Sequence, residues 1–401
     1  MDLLDKLRAI SRRMEPLASA EFRPFFTTIE SVVNPGEVIV RGHRTLMFGS
    51  NNYFGLTSHP EVIAAAKEAI DLYGSGTTGS RIANGTFAAH ESLERDFARF
   101  FGMREASIFT TGYQANLSMV GALCGPGDVI MLDAESHASL CDAARLSGAE
   151  AMWVQHNSPK NLATKLKRLP KVGRNRLVVV EGLYSIRGDV APLREIVEVA
   201  RENDAYVLVD EAHSFGIYGE RGLGCAEEQG VLDQVDFLVG TFSKTLGGVG
   251  GFCVSNHPEL REIYFAARAY AFTASGTPAS IAGVRAALEI IGRDRSFRDQ
   301  LWENVRAFRK GLHRAGFDIG PYESPLIPVY TGPEDVTIAL WQALLEAGVY
   351  VNIVVPPGCP KDQCLLRTSV SAAHTPAQID EAVSLFSSVG RRLGFGVVAA
   401  S

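Results

Sequence analysis

The sequence predicts an α/β protein with a mostly parallel β-sheet, followed by a smaller α+β domain. Short apolar strands alternate with helical segments between about residues 105 and 240, which is typical of a parallel sheet covered on both faces. Beyond Phe272 long helices come first and further strands follow. A chain of 401 residues also exceeds the roughly 150 residues of one domain. We predict a helix-and-hairpin segment over 1–44, a large domain over 45–276 and a small C-terminal domain over 277–401.

The composition is that of an ordinary globular protein. Hydrophobic residues make up 46% of the chain and charged residues 21%, and the formal net charge of −6 argues against nucleic-acid binding. The six cysteines lack CxxC spacing, so neither a zinc site nor a disulfide framework is indicated. No apolar run reaches the ~18 residues of a membrane span, and the N-terminus lacks the apolar core of a signal peptide. We therefore expect a cytoplasmic protein.

The N-terminal segment begins with a basic amphipathic pattern and continues into a hairpin. Apolar residues recur at helical spacing, with basic residues largely on the other side: Leu3, Leu4, Leu7, Ile10 and Met14 against Lys6, Arg8, Arg12 and Arg13. Such a helix either packs on its own protein, which is the commoner case, or makes a peripheral contact with a membrane, here the inner membrane. Residues 37–41 and 45–48 then predict a short hairpin.

Regular elements can be assigned to most of the remaining chain. Helices are predicted at 60–73 and 90–101, and the loop of small residues at 74–81 can approach a ligand or a partner subunit closely, although a flexible surface loop is the alternative. Apolar strands are expected at 107–109, 129–132, 151–154, 177–180, 206–209 and 237–239. The second domain is expected to contain helices at 278–291, 296–315, 337–347 and from Thr375, with strands near 327–329, 350–352 and 365–367.

Lys244 is the first candidate for chemistry. It follows the apolar strand at 237–239 and precedes four glycines within seven residues. Because open α/β sheets bind ligands at the carboxyl ends of their strands, this lysine is predicted to lie at the ligand crevice. Partial desolvation there would lower its pKa and make it a nucleophile able to form a Schiff base. A surface lysine in a flexible loop is the alternative.

Asp210 supplies the second candidate group. The apolar strand at 206–209 ends in Asp210, Glu211 and His213, groups that are costly to bury without partners. Asp210 precedes Lys244 by 34 residues, the length of one strand-helix-strand excursion, so both are expected at the same edge of the sheet. A carboxylate facing a Schiff-base lysine can keep a pyridinium nitrogen protonated. The combination points to pyridoxal 5'-phosphate (PLP).

Two weaker signals agree with a PLP site. Thr111, Gly112 and Tyr113 open a helix after a strand, and helix N-termini bind phosphate, although any capped helix could look the same. His137 follows another strand end, where its imidazole could stack on a flat cofactor. An ordinary histidine in a helix cap is the alternative.

The motifs of this chain, in this order, resemble those of a known family. From about residue 20 to residue 390 the chain resembles the α-oxoamine synthases, PLP enzymes of the aspartate-aminotransferase fold (fold type I), and within them the soluble bacterial serine palmitoyltransferases. The resemblance is carried by these segments: 74–77 with 79–81, 111–113, Asp133 with 136–139, 181–182 with 184–185, 210–214, 240–244, 272–275 and 373–376. It implies a large domain with a mostly parallel seven-stranded sheet.

The resemblance also implies roles for individual residues. Lys244 would hold PLP covalently, His137 would stack on its ring, Asp210 would pair with the ring nitrogen and His213 would bind the ring hydroxyl oxygen. The phosphate would be surrounded by Gly112, Tyr113, Thr241 and Ser243 and, from the other subunit of a homodimer, by Thr273 or Ser275. Asn52 and Arg367 would bind the amino-acid substrate, Arg367 through a bidentate pair with its carboxylate.

The implied reaction is a decarboxylative condensation of L-serine with a long-chain acyl thioester, palmitoyl-CoA or an acyl carrier protein, giving 3-ketosphinganine. One position departs from the serine branch, because Val355 stands where those enzymes have an arginine before paired prolines. The threonine ligases of the family, which make 2-amino-3-ketobutyrate, likewise have an apolar residue there. The alternatives are such a ligase, an 8-amino-7-oxononanoate synthase, an aminotransferase of the same fold or a non-catalytic partner subunit.

Overall fold

The computed structural model describes residues 2–18, 24–170 and 173–395. The strands within these ranges are β1 (Ser31–Asn34), β2 (Glu37–Val40), β3 (His43–Met47), β4 (Glu105–Phe109), β5 (Val129–Asp133), β6 (Glu150–Val154), β7 (Arg176–Glu181), β8 (Tyr206–Asp210), β9 (Phe237–Thr241), β10 (Gly251–Ser255), β11 (Leu326–Gly332), β12 (Val349–Tyr350), β13 (Asn352–Val354) and β14 (Cys364–Ser369). The α-helices are α1 (Asp5–Ala18), α2 (Pro60–Tyr73), α3 (Ala88–Phe101), α4 (Gly112–Leu123), α5 (Ala138–Ser147), α6 (Pro159–Leu166), α7 (Leu193–Glu202), α8 (Cys225–Glu228), α9 (Ile263–Ala266), α10 (Arg268–Ala271), α11 (Pro278–Arg293), α12 (Ser296–Arg314), α13 (Glu334–Glu346) and α14 (Pro376–Arg392).

The chain divides into two compact units. The central unit is Phe54–Asp299, and the terminal unit combines Met1–Tyr53 with Gln300–Ser401. Helix α11 belongs to the central unit, and the first three strands belong to the terminal unit. The division into a segment at 1–44, a large domain at 45–276 and a small domain at 277–401 stays a prediction.

The central unit contains a seven-stranded, mostly parallel sheet, which confirms the predicted fold class. Its order is β4-β10-β9-β8-β7-β5-β6, and pairing is parallel from β9 to β6. Strand β10 pairs antiparallel with both β4 and β9. The sequence pattern does not single out β10, because its first residue, Gly251, closes the glycine-rich run that follows Lys244.

Burial explains why the central strands are apolar along their whole length. Every residue of β5, β7 and β9 is buried, as expected where helices cover both faces of a sheet. The register aligns the carboxyl ends of neighbouring strands, since Glu181 lies opposite Asp210 and Asp210 lies opposite Val239. Polar residues at these strand ends therefore collect at one edge of the sheet.

Two small sheets, helices α13 and α14 and the part of α12 from Gln300 onward belong to the terminal unit. The predicted hairpin is present as β2 and β3, and β12 extends it by pairing parallel with β3. The second sheet is antiparallel, in the order β11-β14-β13. In the core Phe48 stacks on Phe308 and on His374, with ring centroids 4.6 Å and 4.1 Å apart. The two sequence segments that form the terminal unit therefore share one core.

The predicted N-terminal helix is present as α1, but its apolar side is open. Leu3, Leu7 and Ile10 are 91%, 62% and 58% exposed, so this side is not packed on the described part of the chain. The commoner arrangement expected from the sequence is thus not found within one chain. Over the described ranges, no helix combines the length and the apolar character that crossing a membrane requires.

Candidate active site

A cavity of about 260 Å³ opens at the carboxyl edge of the sheet in the central unit. It is lined by residues singled out from the sequence, namely Gly112, Tyr113, His137, Asp210, His213, Thr241, Ser243 and Lys244. It is also lined by Thr111, Asn116, Ser139, Glu181, Ala212 and Gly240. The fold thus brings the lysine, the carboxylate, the two histidines and the helix N-terminus of the sequence hypothesis into one place.

The end of β9 and the start of α4 form one wall of the cavity. The Thr111 hydroxyl caps α4 by accepting the N–H of Gln114 at 3.0 Å. A Cβ added at Gly112 would lie only 2.7 Å from the Cβ of Thr241. The Thr241 and Ser243 hydroxyls are 2.9 Å apart, beside these backbone groups. Glycine at position 112 therefore lets a helix N-terminus and two hydroxyls converge, which is a suitable site for an anion.

Asp210 is held by hydrogen bonds to both of its oxygens. Its Oδ2 accepts the Asn116 amide at 2.7 Å, and its Oδ1 accepts the backbone N–H of Ala212 at 2.9 Å. Asp210 is the last residue of the buried strand β8 and is 6% exposed. A carboxylate fixed in this way presents a directed negative charge to the cavity.

A chain of hydrogen bonds leads from Asp210 to His137. The Asn116 amide also donates to the Ser139 hydroxyl at 2.9 Å, and that hydroxyl lies 2.7 Å from Nδ1 of His137. The backbone N–H of Ser139 donates to the same Nδ1 at 3.2 Å. Because Nδ1 accepts these bonds, the proton of the neutral ring lies on Nε2.

The electrostatics of the cavity favour this neutral imidazole. Partial desolvation by the cavity walls lowers the pKa of His137, Lys244 acts in the same direction and Asp210 opposes it. At neutral pH the ring can therefore stack on a flat ligand and still donate one proton.

Glu181 lies beneath His137 at the end of β7. Its Oε1 accepts the backbone N–H of His137 at 2.6 Å, and the residue is 4% exposed. Burial raises the pKa of Glu181 to about 8, and the charge of Asp210 adds to the shift. The carboxyl group is therefore largely protonated at neutral pH.

The remaining residues of the hypothesis lie elsewhere. Thr273 and Ser275 line a separate cavity of the central unit, where the Ser275 hydroxyl is 2.8 Å from that of Thr77 and 2.7 Å from the carbonyl of Gly85. Their predicted role concerns a partner subunit and stays a prediction. Asn52 and Arg367 belong to the terminal unit.

Arg367 has a buried guanidinium that is hydrogen-bonded to polar side chains. It is 9% exposed, and its guanidinium donates to the side-chain oxygen of Asn51 at 3.0 Å and more weakly to the Ser369 hydroxyl at 3.5 Å. Burial lowers the pKa of Arg367, and the hydroxyl of Tyr53 opposes this shift. Val355 is also buried in the terminal unit, at 6% exposed.

The sequence suggests no role for three polar side chains of the cavity. Ser139 ends the motif at 136–139 and Asn116 follows the motif at 111–113, but a single amide or hydroxyl on a helix carries no distinguishing pattern. Glu181 ends an apolar strand in the same way as Asp210. A carboxylate at the end of a buried strand was therefore the available signal for Glu181.

Comparison with known proteins identifies the family. The aminotransferase class I and II family matches residues 44–386 of the sequence. The chain belongs to this family. Within it, the chain is 46% identical to a serine palmitoyltransferase of Caulobacter vibrioides, over 98% of both chains. It is 44% identical to that of Sphingomonas paucimobilis, over 98% of this chain and 94% of the relative.

A solved structure of SPT with PLP internal aldimine agrees with this class I and II assignment. It superimposes with a TM-score of 0.95 at 44% identity, covering 98% of this chain and 100% of the other. The resemblance to bacterial serine palmitoyltransferases and the fold-type-I architecture are thereby confirmed.

Proposed function

We propose that the protein is a PLP-dependent acyltransferase that condenses L-serine with a long-chain acyl thioester. The products are 3-ketosphinganine, carbon dioxide and the free thiol, which is the first step of sphingolipid synthesis. The observation that carries the proposal is the 46% identity to a serine palmitoyltransferase over 98% of both chains. The grouping of Lys244, Asp210 and His137 in one cavity supports it.

The cavity fits PLP by the chemistry of its own groups. The N-terminus of α4, with the hydroxyls of Thr241 and Ser243, suits a phosphate. A Cβ at Gly112 would occupy the space between this N-terminus and Thr241. Tyr113 and His213 line the same cavity and complete the proposed set. When bound, PLP supplies an electron sink for the electron pair left at the substrate α-carbon.

The chain's own residues then bind, orient and hold protons. Lys244, three residues after the end of β9, would hold the cofactor covalently. Asp210, fixed by Asn116 and Ala212, would pair with the ring nitrogen and keep it protonated. His137 would stack on the ring as a neutral imidazole that keeps one donor proton on Nε2.

Asn52 and Arg367 are proposed to bind the amino acid. A buried guanidinium can form a bidentate pair with a carboxylate, and the hydrogen bonds of Arg367 to Asn51 and Ser369 hold its side chain in place. Val355 contributes no second cation. This valine is the observation that favours a second candidate, a 2-amino-3-ketobutyrate ligase, which uses glycine and an acetyl thioester.

Assembly and location are part of the proposal. We propose a homodimer in which Thr273 or Ser275 reaches the phosphate of the partner's cofactor, so that an active monomer in sedimentation at micromolar concentration would refute it. The exposed apolar residues of α1, together with its basic residues, support a peripheral contact with the inner membrane of a cytoplasmic enzyme. The thioester carrier is proposed to be coenzyme A or an acyl carrier protein.

A substrate matrix tests the reaction. Serine, glycine, alanine and threonine are each combined with acyl thioesters of different chain length, and release of thiol and carbon dioxide is measured. Serine with a long acyl chain is expected to react fastest. Preference for glycine with the acetyl thioester would indicate the ligase, and preference for alanine with a dicarboxylic acyl group would indicate an 8-amino-7-oxononanoate synthase. Strict dependence on a keto acid without thiol release would indicate an aminotransferase.

Lys244→Ala serves as the negative control for that matrix. It is expected to abolish covalent PLP binding, measured as the cofactor that borohydride fixes to the protein, and thiol release with it. Lys160→Ala removes an exposed lysine of the same unit and should change neither. Retained fixation of the cofactor in Lys244→Ala would contradict the assignment.

A further inference from the structure

His156 is a histidine of the central unit that joins two buried carboxylates outside the cavity. It follows β6, with Nδ1 2.8 Å from Oδ1 of Asp133 and Nε2 2.7 Å from Oδ2 of Asp189. Asp133 and Asp189 are 3% and 1% exposed. Tyr184 packs edge-on against the ring, with centroids 4.6 Å apart. Since both ring nitrogens face carboxylate oxygens, both donate, and the ring is an imidazolium.

The neighbouring groups stabilise this positive charge. Burial disfavours it, but the hydrogen bonds to Asp133 and Asp189 outweigh burial and raise the pKa of His156 to about 10. Glu135 adds a third carboxylate at 3.8 Å, itself paired with Arg187 at 2.8 Å. The charge is therefore retained throughout the neutral range.

The next residue binds the same two carboxylates. The backbone N–H of Asn157 donates to Oδ2 of Asp133 at 2.9 Å, and its amide donates to Oδ2 of Asp189 at 2.7 Å. His156 and Asn157 thus provide four hydrogen bonds to one pair of aspartates. Such a network fixes the distance between the segments that carry the aspartates.

Those two segments are the ones that hold His137. Asp133 ends β5 and begins the short connection to His137. Asp189 lies in the loop after β7, which is closed by the bridge between Leu183 and Val190. The same β7 ends in Glu181, which accepts the backbone N–H of His137 at 2.6 Å. His137 is therefore supported from β5 and from β7, and His156 binds both supports.

We propose that His156 is a positioning residue for His137, acting as a fixed cation that joins the connection after β5 to the loop after β7. The inference rests on the proposed place of His137 over the cofactor ring. It adds His156 and Asn157, which do not line the cavity, to the residues that determine this placement.

The charge on the ring can be observed directly. Nitrogen-15 NMR of histidine-labelled protein at about pH 8, well above the usual histidine pKa of about 6.5, is expected to show one ring with both nitrogens protonated. That signal should be absent from His156→Phe. A neutral His156 ring at this pH would overturn the proposal whatever the reaction catalysed.

A matched pair of variants tests the effect on the site. His257 is also bonded to a buried aspartate, Asp236, at 3.0 Å, but at the amino edge of the same sheet. In the holoenzyme, His156→Phe is expected to change the visible circular dichroism of bound PLP and to lower kcat/KM by about 10-fold or more, because small misplacements at a reacting centre are costly. His257→Phe should leave both unchanged. Equal effects of the two variants would overturn the proposal.

A double-mutant cycle separates positioning from general destabilisation. If His156 acts through His137, adding His156→Phe to His137→Ala should cost little further activity or dichroism. Independent losses that multiply would overturn the proposal. Should His156→Phe fold poorly, Asp189→Asn keeps the size of the side chain and removes one charge, and the same non-additivity is expected. If the wild type condenses no amino acid, the proposed reaction fails, and the cycle still reports on His137 through the dichroism.

Discussion

At the scale of the residue, the cavity is organised by a network of hydrogen bonds between side chains. Asn116 donates both to Asp210 and to Ser139, so one amide sets the direction of a carboxylate and of a hydroxyl. Ser139 in turn determines which nitrogen of His137 carries the proton. The two groups proposed to face the cofactor ring, Asp210 and His137, are therefore not independent of each other.

Ser139→Ala tests this coupling. The variant removes the hydroxyl that donates to Nδ1 of His137, a bond that favours the neutral ring, so the pKa of His137 is expected to rise. The acid limb of the pH-rate profile should move to higher pH, and kcat should fall by about 10-fold. Ser136→Ala is the matched control, since the Ser136 hydroxyl is buried and makes no hydrogen bond within the described residues. An unchanged pH profile in Ser139→Ala would contradict the role given to Ser139.

The raised pKa of Glu181 predicts that the stability of the protein depends on pH. Its pKa rises from 4.5 to about 8 on folding, so between these values the folded state binds more protons than the unfolded state. Stability is therefore expected to fall as pH rises through this window. Glu181→Gln keeps an acceptor for the N–H of His137 and cannot ionise. In cofactor-free protein, the unfolding midpoint of Glu181→Gln should decline less between about pH 5 and pH 8 than that of the wild type. Parallel curves for the two proteins would show that Glu181 does not titrate there.

At the scale of the element, the start of α4 depends on the absence of a side chain. A Cβ at Gly112 would lie 2.7 Å from that of Thr241, closer than packed carbons approach, so any larger residue forces α4 and the end of β9 apart. Gly112→Ala is expected to weaken PLP binding by about 10-fold or more, because the phosphate would lose part of its N–H donors.

Gly121→Ala is the matched control in the same helix. A Cβ there meets nothing within 4 Å, so the substitution should raise stability by up to about 1 kcal/mol through helix propensity and leave PLP binding unchanged. Both variants can be compared by absorption titration of cofactor-free protein with PLP and by thermal unfolding. An unaltered affinity of Gly112→Ala for PLP would show that the close contact with Thr241 does not require glycine at position 112.

The strands and helices also show which parts of the fold can be predicted from the sequence and which cannot. Apolar runs such as those of β5, β7 and β9 are visible because burial on both faces requires them, and the carboxyl ends of such strands predict the edge that holds Asp210 and Lys244. Strand β10 is not visible, because a glycine-rich run leads directly into it and because one of its two partners, β4, is distant in sequence. The packing of α1 could not be predicted either, since an amphipathic pattern identifies an apolar side and does not identify what covers it.

At the scale of the whole molecule, the family match extends over both compact units. Residues 44–386 include the central unit and much of the terminal unit, where Asn52 and Arg367 lie. The chemistry of a PLP enzyme is common to many substrates, so the choice of amino acid depends on residues outside the cofactor cavity. Under the proposed function, binding of the α-carboxylate common to all amino acids depends on Arg367, with Val355 in place of a second arginine.

Arg367→Lys is therefore expected to weaken serine binding more than it impairs cofactor binding. Lysine keeps the charge but loses the fork that pairs both carboxylate oxygens, and loss of a charged hydrogen bond costs about 1.5 to 3 kcal/mol, or about tenfold or more in affinity. Arg309→Lys is the matched control, because Arg309 is half-buried in the same unit and donates to the carbonyl of Gly320 at 3.1 Å. Spectral titration of the holoenzyme with serine measures both variants. Arg309→Lys should bind serine as the wild type does. Equally unchanged binding in Arg367→Lys would mean that a group other than Arg367 holds the carboxylate. Val355 cannot be that group, because its side chain carries no charge.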